Sequence, residues 1–110
     1  MKITTHVLDT ASGVPAAGIA ISLHRIDGHE RIPLGNATSD ADGRTDAPLA
    51  EAPGTGCYEL TFAVAEYFAT RGIAAFYDEI KVRFLIDDTE RNYHVPLLLN
   101  PWGYSTYRGS

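Results

Sequence analysis

At 110 residues the chain is long enough for one domain with its own core and too short for two. Hydrophobic residues make up 45% and charged ones 21%, close to globular averages, and no apolar run approaches the ~18 residues of a membrane span, so a disordered chain and a spanning helix are both excluded. Fourteen acidic residues against nine basic give a net charge of -5, and with only two lysines, Lys2 and Lys81, no basic run is available to neutralise phosphates; nucleic acid is excluded as a partner.

In chain order, the opening Met1-Lys2-Ile3-Thr4-Thr5-His6 lacks a basic stretch followed by an apolar one. No secretory signal is expected, and a cytoplasmic location without membrane association follows as the default. Ile3, Thr5 and Val7 alternate with Thr4, His6 and Leu8, the period of a half-buried strand. Residues 9 to 18 make a loop. Ile19, Ile21 and Leu23 alternate with Ala20, Ser22 and His24, and an Asp-Gly turn leads into a second strand from about Arg31 to Thr38, which makes a hairpin. Residues 39 to 56 are turn-rich and leave room for one very short strand near Arg44 to Ala47.

Tyr58, Leu60, Phe62 and Val64 give the cleanest alternation, with Cys57 beside them as a small buried hydrophobe; as the single cysteine it excludes an internal disulfide and fits a reducing compartment. "AEYFATRG" then changes to a helical rhythm ended by Gly72. Val82, Phe84 and Ile86 mark another strand, and residues 91 to 99 and 103 to 108 give the last two, parted by Asn100-Pro101. Short alternating segments bounded by turn residues predict an all-β antiparallel sandwich or barrel with one short helix.

Four histidines, His6, His24, His29 and His94, invite a search for metal ligation, but none stands at a local ligand spacing such as H-E-x-x-H. Residues 40 to 51 imitate a calcium loop at several acidic positions, then fail it: Thr45 replaces the turn glycine, Arg44 falls at a ligand position and Pro48 opposes flanking helices. There is no G-x-S-x-G elbow and no phosphate-cradling G-x-x-x-x-G-K-[ST]. What remains is His6 and His94. Each lies opposite the apolar set of its own strand, beside Leu8, Pro96 and Leu98, on a face too apolar for water; that face is expected to be covered by another subunit. A lone strand histidine is more often structural than catalytic, so the pair alone does not define a site.

Three stretches carry more: "THVLDTASGVPAAG" at the start, Thr38 with Asp42-Gly43-Arg44 in the middle, and "HVPLLLNPWGYSTYRGS" at the end. In this order, over the whole chain, they resemble the transthyretin-related 5-hydroxyisourate hydrolase family, and Tyr107-Arg108-Gly109-Ser110 is the most specific of its signatures. The resemblance implies a transthyretin-like (prealbumin-like) β-sandwich of two four-stranded sheets with a short helix after the fifth strand. One sheet would have the strand order fourth, first, seventh, eighth, bringing Arg44, His6, His94 and the Tyr107 to Ser110 tail together. It further implies a homotetramer, a dimer of dimers whose packed faces form channels holding the active sites.

The implied reaction is hydrolytic opening of 5-hydroxyisourate to 2-oxo-4-hydroxy-4-carboxy-5-ureidoimidazoline, with no metal or other cofactor. The resemblance gives water activation to His6 and His94, without deciding which nitrogen takes the proton, and orientation of the ring and stabilisation of the oxyanion to Arg44. Arg108 would supply a second cation, Ser110 a hydroxyl and the terminal carboxylate, and Tyr107 a ring wall or phenol. Two other readings stand beside it. One is a transthyretin-like carrier that binds a small ligand without catalysis, opposed by the His, Arg, His set and the Y-R-G-S ending. The other is an immunoglobulin-like interaction domain, weakened by the lone cysteine.

Overall fold

Alternation along the first strand decides which of its sides faces the core. In the computed structural model, which describes residues 1 to 110, β1 spans Lys2–Asp9 and buries Ile3, Thr5, Val7 and Asp9, leaving Thr4, His6 and Leu8 half-buried on the outer side. A two-residue strand, β2 (Val14–Pro15), folds back antiparallel on the end of β1. The expected hairpin follows as β3 (Ala20–Asp27) and β4 (Glu30–Thr38), its register shifted between Leu23 and His24 to accommodate an extra residue on β4. After a second two-residue strand, β5 (Ala50–Glu51), comes β6 (Gly56–Phe62), then α1 (Val64–Ala69), β7 (Ile80–Ile86), β8 (Tyr93–Asn100) and β9 (Gly103–Thr106). Val64, which continues the strand alternation in the sequence, is the first helical residue.

The strands form two sheets, β4-β3-β6-β7 and β2-β1-β8-β9, with β5 also paired to β1. Between them lie Ile3, Val7, Ile19, Leu23, Tyr58, Leu60, Phe62, Leu97 and Leu99, all fully buried, and each such aliphatic side chain stabilises the fold by about 1.5–3 kcal/mol. Phe68 and Tyr67 of α1 close the same core. This is the two-sheet sandwich with one short helix that the resemblance implies.

Two expected elements differ. No strand forms at Arg44 to Ala47: the place beside β1 is divided between β2 and β5, and Arg44 stands in the turn between them. Gly43 has a positive φ of 76° and Pro48 has no N–H to donate, so an extended ladder cannot run through this stretch. The segment is pinned to β1 by two single bonds instead, Val7 N–H to the Gly43 carbonyl (2.8 Å) and Leu49 N–H to that of Ile3 (2.9 Å).

The last strand stops at Thr106, short of residue 108. β9 pairs with β8 as far as Leu97–Thr106, and the next partner would be Pro96, which again has no N–H. The Thr106 hydroxyl caps the Pro96 carbonyl (2.8 Å) and the chain leaves the ladder. It returns at one bridge, Gly109 N–H to the His94 carbonyl (2.7 Å).

Candidate active site

β1 and β8 run parallel, an uncommon pairing in a mostly antiparallel sandwich, with Thr4 opposite His94 and His6 opposite Pro96. His6 and His94 therefore project from the same outer face on neighbouring strands, offset along the sheet. Thr4 faces His94 directly, its Oγ1 2.9 Å from Nδ1.

Arg44 reaches this face through a turn organised by Asp40. The Asp40 Oδ1 accepts from the backbone N–H groups of Asp42 (2.9 Å) and Arg44 (3.1 Å), and the Asp40 N–H donates to the Arg44 carbonyl (2.7 Å). At its apex Gly43 is buried; a methyl group there would collide with the Val7 carbonyl and fall 3.3 Å from His6 Cδ2. The turn thus rests on the edge of the His6 ring. Arg44 itself is exposed and forms an ion pair with neither Asp42 nor Asp46, although both are near in sequence. Its guanidinium remains available.

His94 is half-buried, and its pKa is pushed below the ordinary value of about 6.5, first by burial, then by the positive charge of Arg44, then by His6. The imidazole is therefore neutral at neutral pH, with a cation beside it.

The carboxyl-terminal residues divide between two places. Gly109 lies against His94, so close that a methyl group on it would fall 2.6 Å from Cδ2, and the exposed Ser110 follows it in the chain. Arg108 goes elsewhere. Its guanidinium stacks over the Tyr93 ring at 4.0 Å, and Tyr93 is buried on the core side of β8, opposite to His94. Tyr107 and Arg108 together line a crevice of about 390 Å³ at the sandwich edge, with Phe84, Leu85, Asp87 and Val95 among its walls. Within one chain the structure brings together His6, Arg44 and His94, with Gly109 packed against His94, and does not bring Tyr107 and Arg108 to them.

Asp9 supports the face from behind. Its buried carboxylate accepts from the N–H groups of Ala11 (3.0 Å) and Ser12 (3.1 Å), the Ser12 hydroxyl (2.9 Å) and the Tyr67 hydroxyl (2.9 Å). Burial pushes the carboxyl up, but these bonds outweigh it and hold its pKa below the usual value. They tie the end of β1 to α1 and to the loop that carries β2. Nowhere do three histidine, cysteine or carboxylate side chains converge as metal ligands.

Reading the sequence alone overlooks Thr4 and Gly109. Thr4 becomes visible only once the parallel register is known, because nothing in the alternation of β1 says which residue of β8 it meets. Gly109 sits inside the most specific motif, yet its contact depends on the chain leaving the ladder after Thr106, where the next partner on β8 is Pro96.

The HIUase/Transthyretin family profile matches residues 3–109. The chain is 53% identical over 113 residues to the 5-hydroxyisourate hydrolase of Deinococcus radiodurans, covering 98% of this chain and 95% of that protein. Among solved structures it superimposes on the 5-hydroxyisourate hydrolase of Klebsiella pneumoniae over the full length of both chains, with a TM-score of 0.87 and 36% identity. It also superimposes on (S)-allantoin synthase with a TM-score of 0.91 and 42% identity, spanning 99% of this chain but 43% of that longer one. The fold, the face shared by His6, Arg44 and His94, and these likenesses lead to one assignment: the chain belongs to the HIUase/transthyretin family.

Proposed function

We propose that the chain hydrolyses 5-hydroxyisourate to 2-oxo-4-hydroxy-4-carboxy-5-ureidoimidazoline, a step of urate degradation. The observation that carries this reading is a neutral, half-buried His94 sharing one sheet face with His6 and an unpaired Arg44. A neutral imidazole can take a proton from water as its oxygen attacks, and general base catalysis of this kind contributes ~10²- to 10⁴-fold. The water oxygen adds to the ring amide carbonyl, the C–N bond breaks, and the proton passes to the leaving nitrogen, which ends in the ureido group while the carbonyl carbon becomes the carboxylate. The Arg44 guanidinium orients the electron-rich ring and offsets charge on the oxyanion, a role in which losing one donor commonly costs ~3 to 4 kcal/mol. Ser110 supplies a hydroxyl. Tyr107 and Arg108, on the crevice side of their own chain, take no part in that chain's site in this scheme.

The working form is a homotetramer, a dimer of dimers. Support comes from the histidine face, where Leu8 and Leu98 stand half-buried beside the rings, and from large apolar side chains left open at the edges, Leu85 at 72% exposure, Trp102 at 69% and Phe76 at 68%. Substituting His6, Arg44 or His94 by alanine, assayed with a chelator present, is expected to lower turnover at least about tenfold. Turnover at the unsubstituted rate in all three variants would refute the site.

A further inference from the structure

The His94 ring is held along two edges and open along the third. Nδ1 and Cδ2 are the two ring atoms bonded to Cγ, one on each side. Nδ1 meets the Thr4 hydroxyl at 2.9 Å, and Cδ2 meets Gly109, where a methyl group would fall 2.6 Å from it and 3.3 Å from Pro96 Cγ. Only the Cε1–Nε2 edge is left to face a reactant.

We propose that Thr4 is a positioning residue: its Oγ1 accepts a hydrogen bond from His94 Nδ1–H and so leaves Nε2 as the unprotonated nitrogen offered to water. The catalytic meaning of this assignment rests on the hydrolase reading above; the tautomer itself does not. A hydroxyl has one hydrogen to give and two lone pairs, so the Thr4–His94 bond can run in either direction, and its direction determines which nitrogen carries the proton.

One feature favours the direction proposed: what the Thr4 hydroxyl can do with its own hydrogen. Thr4 lines a small cavity of about 180 Å³ with Thr5, Arg44, Thr45, Asp46, Ala47 and Pro48, and Asp46 is the one carboxylate in its wall. The Thr4 O–H can turn into that space as a donor while its oxygen accepts from His94. In the reverse arrangement the Nδ1 lone pair is consumed by Thr4, the exposed nitrogen carries the hydrogen, and the ring can no longer accept a proton from water.

The parallel register is what makes this possible, since it sets Thr4 and His94 side by side on one face. Thr4→Val keeps the branched shape that suits a strand and puts a methyl group in place of the hydroxyl; Thr4→Ser keeps the hydroxyl and removes a methyl group.

The test combines nitrogen-15 NMR of the His94 ring at neutral pH with kinetics on freshly generated 5-hydroxyisourate. The unsubstituted protein is expected to show a protonated Nδ1 and an unprotonated Nε2; the opposite pattern would overturn the proposal. Thr4→Val is expected to mix the two tautomers and to lower kcat at least about tenfold with KM little changed, and Thr4→Ser to restore both the ring signature and most of the rate. A Thr4→Val variant with unaltered tautomer and kcat would overturn the positioning role. If the unsubstituted protein shows the expected tautomer and yet opens no 5-hydroxyisourate, the functional reading fails and the Thr4–His94 assignment stands.

Discussion

In the proposed mechanism His94 acts beside an arginine and a second histidine, and the direction in which its surroundings push its pKa sets the acid side of the activity profile. Its folded-state pKa lies below the ordinary value of about 6.5, so the neutral ring survives to lower pH than in a free histidine. The acid limb of kcat/KM is therefore expected to have its midpoint below about 6.5; a midpoint at or above that value would contradict the account. Arg44→Ala removes the largest charge acting on the ring, and in an NMR titration the pKa of His94 should rise towards the ordinary value. Gly109→Ala tests the other neighbour. A methyl group at that position has no room against Cδ2, so the tail or the ring must shift, and activity should fall several-fold or more while the melting temperature changes little. At this scale alternation alone makes legible the outward placement of His6 and His94, and not their role. Arg44 is not legible: its local pattern suggests an ordinary turn arginine in an acidic loop near Asp42 and Asp46, and only the family resemblance marks it.

β1 carries two residues of the candidate site, Thr4 and His6, because its two faces have different tasks. Ile3, Thr5 and Val7 bury into the core while Thr4 and His6 face outward, and Asp9 anchors the strand's end. Asp9→Asn keeps the size but removes the charge that strengthens four hydrogen bonds. It is expected to destabilise the fold by about 1–3 kcal/mol in denaturant unfolding and to loosen the loop carrying β2, whose Pro15 packs near Gly43. An unchanged midpoint would show that the network contributes nothing. β1 and the first half of β3 were readable from period-two patterning because each buries one side, whereas β6 buries both sides from Tyr58 to Phe62 and β4 buries neither. The strand expected at Arg44 and the extension of β9 to residue 108 were not, since both depend on missing N–H groups at Pro48 and Pro96 interrupting a ladder whose partner the sequence does not name. The division of the tail, with Gly109 on the histidine face and Arg108 stacked on Tyr93, follows from that interruption.

For the whole molecule the titrating groups combine into one pH dependence. His94, Asp9 and Glu59 all have folded-state pKa values below their ordinary ones. Glu59 is buried, which pushes its carboxyl up, but hydrogen bonds and charge from Arg83 and Arg31, at 3.1 and 3.0 Å, outweigh the burial. The unfolded chain therefore binds protons first as pH falls, so stability declines below about 6.5 through His94 and further through the carboxylates as pH passes their folded values. Tyr67 works from the other side. Burial, then its bond to Asp9 and the charge there, raise its pKa despite Arg71, so its contribution is lost as pH rises past about 10. Unfolding free energy should thus form a plateau between about pH 6.5 and 10 with a decline on each side. The proposed covering of the histidine face predicts a tetramer by light scattering, and a monomer at working concentration would remove the explanation for the apolar residues around the two rings.

The catalytic expectations rest on one activity, and its direct measurement is the loss of ultraviolet absorbance of freshly generated 5-hydroxyisourate in the presence of chelator. The account predicts that the unsubstituted protein makes the absorbance decay far faster than buffer alone and that His94→Ala returns it most of the way to the spontaneous rate. Decay no faster with the protein than without it, or binding of the compound without turnover, would contradict it.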